Sequence, residues 1–343
     1  MTAAQPERYY LRQIAFAGIG RAGQAKLAAS QVVIVGCGGI GSLLAEQLTR
    51  AGVGRLKLID RDYVEWDNLQ RQVLFDEADA RASLPKAVAA TRKLRQINAQ
   101  VQLEPLVTDL HADNVEELLR GSDLVLDGTD NFETRYLLND ACLKWHLPWI
   151  YSAAVSGYGT SLTILPGQTA CLECVFPQMP VAGRTPTCAT AGVINPITGL
   201  IASLAAAEAL KYLVGQSEKL RRGLIWVDLW ENSFRTMQVA RRPDCPSCVQ
   251  GAFRHLAAEE GASVVRLCGR DAVQMRFAQS QQLNLPALAG KLSALGQVEQ
   301  NEFLLRFRAD NRELVIFSDG RAIIKGVAGP TEARRFYAKY IGL

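Results

Sequence analysis

The stretch QVVIVGCGGIGSLLAEQLTRAGVGRLKLID, residues 31–60, determines the fold. It starts with an apolar, β-branched run from Gln31 to Val35, continues with a glycine-rich segment into helical spacing, and ends with a second apolar run, Leu56 to Ile59. This order predicts a strand, a helix and a strand. The acid Asp60 closes the second strand, at the distance from the glycines that is typical of Rossmann-type nucleotide-binding folds.

The glycine-rich segment itself, GCGGIG at residues 36–41, predicts a phosphate-binding loop. Gly36, Gly38, Gly39 and Gly41 would let the backbone approach a phosphate, and the following helix N-terminus favours negative charge. Asp60 would then accept hydrogen bonds from ribose hydroxyls. This motif alone does not separate NAD from ATP, and a GxxxxGK[ST] phosphate loop of the Walker type is absent from the sequence.

Alternation of strands and helices continues to about residue 152 and predicts an α/β fold with a Rossmann-like, mostly parallel sheet covered on both faces. After Gly159 the apolar runs become hairpin-like, which predicts an antiparallel extension of the sheet. An apolar helix is predicted from Ile197 to Leu213 and is expected to be buried, because residues 201–209 are nearly all apolar or small. Residues 177–190, rich in Pro, Gly, Thr and Ala, are predicted to form a mobile loop over the site.

A second, smaller α+β domain is predicted over residues 262–343, after a first domain of residues 1–249. Its pattern indicates the order β, β, α, β, β, β, α, with a hairpin turn at Ser318-Asp319-Gly320. No cluster of carboxylates and no metal-ligand spacing occurs in this part of the sequence, so its role is not assigned.

Composition excludes several classes of protein. Of the 343 residues 48% are hydrophobic, and 38 Lys and Arg stand against 34 Asp and Glu, so no general electrostatic attraction to nucleic acid or membrane is expected. The N-terminus lacks the pattern of a signal peptide, and no apolar run reaches the roughly eighteen residues of a membrane span. We therefore expect a cytoplasmic protein whose eight cysteines serve metal binding or thiol chemistry rather than disulfides.

Charged and amide side chains at the predicted ends of strands favour ATP over NAD. Asn68, Arg71 and Lys86 follow the ribose acid, and Asp130 and Asn131 follow the strand that ends near Leu126. Hydride transfer has no need of such a set. A carboxylate that attacks the α-phosphorus of ATP does need it, because Arg, Lys and Mg²⁺ offset the charge of the two anions.

With these segments in place, the chain resembles the ThiF/MoeB family, relatives of the ubiquitin-activating enzymes, from Tyr9 to Cys248. It is most similar to bacterial members that carry an extra C-terminal α+β domain and no rhodanese domain. The segments that carry the resemblance are 10–14 (YLRQI), 36–41, 51–54 (AGVG), 64–72 (VEWDNLQRQ), 127–131, 134–135, 139–142 and 188–192. One departure is the link at residues 79–85, which is longer than is usual before the family's lysine.

The resemblance implies an adenylyltransferase that activates the C-terminal carboxylate of a small ubiquitin-like sulfur-carrier protein ending in Gly-Gly, and it admits a sulfur-donor protein as a second partner. The residues that would surround ATP and Mg²⁺ are Gly39, Asp60, Asn68, Arg71, Lys86 and Asp130. Arg12 would reach the nucleotide of the other protomer, so a homodimer is implied. Cys188 matches a cysteine that in relatives receives the acyl group or takes part in sulfur transfer, and its place near a helix start favours a reactive thiolate. An inert loop cysteine is the alternative.

Four of the cysteines form two CxxC pairs, Cys171 with Cys174 and Cys245 with Cys248. Each pair can donate two thiolates to one tetrahedral ion, so together they predict a closed, structural Zn²⁺ site. The alternatives are a redox pair or two unrelated pairs, which the sequence context disfavours because neither pair opens a helix after a βαβ strand.

Four alternatives remain. Two are enzymes of the same family that adenylate a peptide or a tRNA, although tRNA would require a basic surface that the sequence does not indicate. The third is an NAD-binding oxidoreductase, which Asn68, Arg71 and Asp130 argue against. The fourth is a non-catalytic scaffold that keeps the fold, which the presence of Asp60, Arg71 and Asp130 argues against.

Overall fold

The computed structural model describes residues 8–180, 187–257, 263–266, 272–276 and 283–342. These residues divide into two compact units. The first holds residues up to 180 and from 191 to 257, and the second holds residues 187–190 and those from 263 onward.

The first unit is built around one sheet of eight strands. The strands are β1 (Gln31–Val35), β2 (Arg55–Ile59), β3 (Gln102–Leu106), β4 (Leu124–Asp127), β5 (Trp149–Val155), β6 (Tyr158–Ile164), β7 (Leu224–Asp228) and β8 (Ser233–Met237). Their order is β3-β2-β1-β4-β5-β6-β7-β8. Pairing is parallel from β3 to β5 and antiparallel from β5 to β8. The predicted α/β fold with a mostly parallel sheet and an antiparallel extension is confirmed.

Helices cover both faces of this sheet. The helices of the first unit are α1 (Leu11–Ala15), α2 (Gly20–Ala29), α3 (Gly39–Ala51), α4 (Glu77–Arg81), α5 (Lys86–Ile97), α6 (Ala112–Leu119), α7 (Phe132–Lys144), α8 (Leu172–Val175) and α10 (Asn195–Leu213). Most residues of the short helix α9 (Cys188–Ala191) belong to the second unit. Short 3₁₀ turns lie at Trp66–Asn68, Ser217–Lys219 and Arg254–Leu256. None of the helices in the described part of the chain is long and apolar enough to span a bilayer.

Strand β1 is the apolar run of residues 31–35, and its burial explains why such a run forms a central strand of the sheet. Successive side chains of a strand point to opposite faces. Val32 and Ile34 enter one core, with Leu44 of α3 and Ile201 of α10, while the alternate residues enter the core on the other face. A strand buried on both faces is expected to be apolar at nearly every position. Helix α10 contributes a mostly apolar, buried surface to the first core, as its composition predicts.

From residue 263 onward, the described part of the second unit forms a six-stranded antiparallel sheet and two helices. The elements are β9 (Ser263–Arg266), β10 (Ala272–Arg276), α11 (Leu285–Leu292), β11 (Gln297–Gln300), β12 (Leu304–Ala309), β13 (Arg312–Phe317), β14 (Ala322–Lys325) and α12 (Pro330–Tyr340). The strand order is β11-β12-β13-β14-β10-β9. Phe307 and Ile316 of the sheet pack in one core with Phe336 of α12.

Two expectations are corrected. The sequence pattern of the second unit omits strand β11, because Val298 is the single apolar residue among Gln297–Gln300 and the strand lies exposed at the sheet edge. The predicted loop 177–190 is not wholly irregular, since Cys188 begins helix α9. Residues 181–186 of that loop lie outside the described residues.

The glycine-rich loop between β1 and α3 is packed against the end of β4 through its backbone. Gly36 has a φ of 87°, and a Cβ placed at Gly41 would lie 1.8 Å from the carbonyl oxygen of Gly36. Gly38 has more room, since a Cβ placed there would lie 3.8 Å from its nearest neighbour, the carbonyl oxygen of Gly128. Of these two positions, Gly41 has no room for a side chain, whereas Gly38 has room for a methyl group.

We expect Gly41→Ala to lower the free energy of unfolding by about 3 kcal/mol or more, because the loop backbone must move to accept the methyl group. Gly38→Ala is the matched control and is expected to cost about 1 kcal/mol or less. Chemical denaturation of the three proteins measures both effects. Equal stability of Gly41→Ala and the wild type would contradict this packing.

Candidate functional site

The glycine-rich loop leads directly into the N-terminus of α3, with Gly38 at the cap position. The first N–H groups of a helix have no partner within the helix, so this end attracts an anion. Gly39 lies beside two side chains, since a Cβ at that position would be 3.1 Å from Thr198 and 3.5 Å from Cγ of Arg71. The loop and the predicted cation Arg71 are thus neighbours.

Asp60 ties the end of β2 to this loop. One carboxylate oxygen accepts a hydrogen bond from the backbone N–H of Cys37 at 2.6 Å, and the other accepts one from the backbone N–H of Asp62 at 2.7 Å. Asp60 is buried, and burial raises its pKa while the ammonium group of Lys86 opposes that rise. The acid that the sequence predicts for ribose binding therefore also fixes the glycine-rich loop.

Lys86 lies at the start of α5 and is held by Asp62 in two ways. Its Nζ is 3.2 Å from Oδ2 of Asp62, and its backbone N–H donates to the Asp62 carbonyl at 2.9 Å. The lysine is 5% exposed. The longer link before it therefore does not remove it from the site, because its charge acts directly on Asp60.

Asn68 and Arg71 belong to the turn that follows β2. Asn68 is fully buried, its amide oxygen accepts from the backbone N–H of Glu65 at 3.2 Å, and its amide nitrogen donates to Asp67 at 2.9 Å. In this structure Asn68 therefore supports the turn itself. Arg71 donates from Nη1 to the Asp67 carbonyl at 2.7 Å and remains partly exposed.

The end of β4 is organised by Arg135, which was not among the predicted site residues. Its Nε is 3.0 Å from Oδ2 of the fully buried Asp127, and its Nη2 donates to the carbonyl of Thr129 at 2.6 Å. The Arg135 guanidinium also stacks 5.3 Å from the ring centre of Tyr151. Burial lowers the pKa of Arg135, but Asp127, Tyr151 and Asp130 together outweigh this effect and the pKa rises.

The loop shaped by Arg135 presents Asp130 and Asn131. Asp130 is exposed, as a metal ligand at an open site would be. Asn131 caps helix α7, because its amide oxygen accepts the backbone N–H of Thr134 at 2.8 Å. Asn131, which the sequence predicts to contact a nucleotide, thus also has a structural role as the cap of this helix.

The two remaining predicted catalytic residues lie on short helices. Arg12 is exposed on α1, a helix without a buried residue, next to the exposed side chains of Leu11 and Phe16. Cys188 begins α9 and is partly exposed. Their roles stay predictions.

The four predicted cysteine ligands converge. Sγ of Cys171 lies 3.8 Å from that of Cys174 and 3.6 Å from that of Cys245, and Sγ of Cys174 lies 3.5 Å from that of Cys248. All four sulfurs lie within 4.8 Å of one another. A tetrahedral Zn²⁺ with Zn–S bonds of about 2.3 Å requires sulfur separations of about 3.8 Å, so the cluster fits this ion.

Buried polar contacts connect this cluster to helix α7. Asn139 accepts the backbone N–H of Leu172 at 2.9 Å, and Asp140 accepts the hydroxyl of Ser247 at 2.8 Å. One contact reaches the first CxxC pair and the other reaches the second. Helix α7 therefore joins the cysteine cluster to the loop that carries Asp130.

Sequence comparison identifies the relatives of this chain. A sequence model described as the ThiF family matches residues 10–247. The chain is 43% identical over 337 residues to the sulfur carrier protein ThiS adenylyltransferase of Bacillus subtilis, covering 97% of this chain and 99% of that protein. It is 39% identical over 252 residues to the sulfur carrier protein adenylyltransferase of Thermus thermophilus, covering 72% and 92%.

Structure comparison finds the same kind of fold in a solved enzyme. The crystal structure of E. coli MccB gives a TM-score of 0.62 at 25% identity, over 71% of this chain and 72% of that one. The structure of E. coli MccB with ATP gives a TM-score of 0.57 at 27% identity, over 66% and 69%.

Proposed function

The chain belongs to the ThiF family, and we propose that it is an adenylyltransferase acting on the C-terminal carboxylate of a ubiquitin-like sulfur-carrier protein. The single observation that carries this proposal is the 43% identity along 97% of the chain to an adenylyltransferase for the carrier ThiS. The resemblance in the sequence is thereby confirmed. Relatives named as adenylyltransferases also favour this activity over NAD-dependent oxidation.

The geometry suits attack of a carboxylate on the α-phosphorus of ATP, with release of pyrophosphate. The start of α3 and the loop at residues 36–41 would bind the phosphates, and Asp60 would hold the ribose. Arg71 and Lys86 would offset charge that spreads over the phosphate oxygens in the transition state. Asp130 would hold Mg²⁺, which supplies further charge neutralisation when bound.

The carrier itself would be bound as an acyl-adenylate, which is then passed to sulfur. For this second step we propose Cys188 as the acceptor. Its thiolate would attack the acyl carbon, form a thioester and release AMP. We also propose a cytoplasmic location.

Exchange of labelled pyrophosphate into ATP tests the adenylation step. We expect wild-type protein to catalyse it in the presence of Mg²⁺ and a Gly-Gly-ended carrier, and Arg71→Ala and Asp130→Ala to lose about 100-fold or more, as for other groups that stabilise transition-state charge. Arg55→Ala, at the opposite end of β2, is the control and should exchange normally.

Wild-type exchange by both folded site variants would refute the assignment of Arg71 and Asp130.

The same reaction mixtures test Cys188 by mass spectrometry. Wild type should form a thiol-sensitive adduct with the carrier that Cys188→Ala lacks, and equal adduct formation by both proteins would refute this role of Cys188.

We also propose that the cysteine cluster of Cys171, Cys174, Cys245 and Cys248 holds one structural Zn²⁺. Four thiolates at these separations leave no open coordination position, so the ion would stabilise the domain rather than catalyse. The proposed domain division, 1–249 and 262–343, places this cluster near the end of the first domain.

Purified protein should contain about one zinc per chain, and a strong chelator should lower its melting temperature, because metal binding free energy adds to folding free energy. Cys245→Ser should lose the zinc, whereas Cys188→Ser, the control outside the cluster, should keep it. Metal analysis that finds no zinc in wild-type protein would rule this out.

We also propose that the protein forms a homodimer in which Arg12 completes the site of the other protomer. The place of this arginine on an exposed helix with exposed Leu11 and Phe16 supports a homodimer in which Arg12 reaches the partner's nucleotide. If so, mixing inactive Arg12→Ala with inactive Asp130→Ala should restore part of the activity, since one hybrid site holds both wild-type groups. No recovery after verified subunit exchange would count against the shared site.

A further inference from the structure

Four aspartates lie near the carboxyl ends of strands β2, β3 and β4. Asp60 and Asp62 follow β2, Asp109 lies in the loop after β3, and Asp130 follows β4. Like charges about 4 Å apart repel by about 4 kcal/mol at an intermediate dielectric. A cation fixed among these acids offsets their mutual repulsion and helps to hold the loops in place.

Arg61 is such a cation. Its Nη1 lies 3.1 Å from Oδ1 of Asp109, and the two side chains are 24% and 19% exposed. Loss of water lowers the pKa of Arg61, but the carboxylates of Asp109, Asp62 and Asp130 outweigh this and raise it. The guanidinium therefore stays charged wherever the protein is folded.

Its partner Asp109 is held in place by the start of helix α6. Nδ2 of Asn114 donates to the carbonyl oxygen of Asp109 at 2.9 Å, and Oδ1 of the same Asn114 accepts the backbone N–H of His111 at 2.9 Å. Arg61 itself directly follows Asp60 at the end of β2. Arg61 is thus held by the end of strand β2, and Asp109 is held by the start of helix α6.

The sheet order shows which part of the nucleotide this pair would meet. Phosphates at the loop after β1 and ribose at Asp60 after β2 define a direction across the sheet edge. The base is attached to the ribose on the side away from the phosphates. The next strand in that direction is β3, and the loop that follows it carries Asp109.

We propose that Arg61, fixed by Asp109, is the positioning residue for the adenosine half of ATP. This inference rests on the proposed adenylation and names a binding determinant that is not among the residues predicted from the sequence. The guanidinium of Arg61 would donate hydrogen bonds to the ribose and base or stack on the base, from a position that Asp109 fixes before the nucleotide binds.

The test compares Arg61→Met, which removes the charge but keeps a long side chain, with Arg61→Lys, which keeps the charge. The matched control is Arg55→Met, because Arg55 also pairs across β2 and β3, with Glu104 at 2.5 Å, but at the amino end of β2. Calorimetry gives the ATP dissociation constant, pyrophosphate exchange gives KM and kcat, and thermal unfolding monitors the fold.

Arg61→Met should raise the dissociation constant and KM for ATP about tenfold or more while kcat changes less than about threefold, since binding is lost and chemistry is not. Arg61→Lys should recover most of the affinity, and Arg55→Met should match the wild type. If Arg61→Met does not fold, Asp109→Asn takes its place and should raise KM in the same direction.

A folded Arg61→Met with wild-type affinity for ATP would overturn the inference and leave the proposed function intact. An equal rise in KM for Arg55→Met would also overturn it, because the effect would then come from any β2–β3 pairing. Wild-type protein that neither binds ATP nor exchanges pyrophosphate would contradict the proposed function itself and the inference with it.

Discussion

Backbone contact between the glycine-rich loop and the end of β4 is the constraint on which the candidate site depends. A Cβ at Gly36 would lie 2.7 Å from the carbonyl oxygen of Gly128, and a Cβ at Gly128 would lie 2.4 Å from that of Gly36. Side chains at these positions would separate the two loops. The close contact places the positive end of α3 beside the segment that leads to Asp130. In the proposed mechanism, the helix end and the Mg²⁺ held by Asp130 would therefore serve the same phosphate group.

Charges around this contact are paired before any nucleotide arrives. Lys86 is held by Asp62, Arg135 by Asp127 and Arg61 by Asp109. Buried pairs of this kind add little net stability, but losing one partner leaves an uncompensated charge that costs about 3–5 kcal/mol. Their benefit lies in preorganisation, since dipoles and charges that are fixed in advance need not reorganise when charge develops in the reaction.

The sequence predicted the elements whose signals are local. The β1–α3–β2 unit, Asp60 and the cysteine cluster follow from periodicity and short spacings, and the structure brings the four cysteines together. Arg61 was missed because its partner Asp109 lies in another loop, which no spacing within one segment reveals. Arg135 was missed because the interval between it and Asp127 does not indicate that the loop between them turns the guanidinium back onto the carboxylate. Strand β11 was missed because an exposed edge strand needs few apolar residues.

Carboxylate attack on the α-phosphorus transfers one carboxylate oxygen to the nucleotide, and isotope labelling detects this transfer directly. A carrier whose C-terminal carboxylate contains a heavy oxygen isotope is incubated with ATP, Mg²⁺ and a thiol that cleaves the acyl-adenylate. We predict AMP that carries one heavy oxygen from the carrier. Unlabelled AMP, or label in inorganic phosphate after attack at the γ-phosphorus, would contradict the adenylation chemistry.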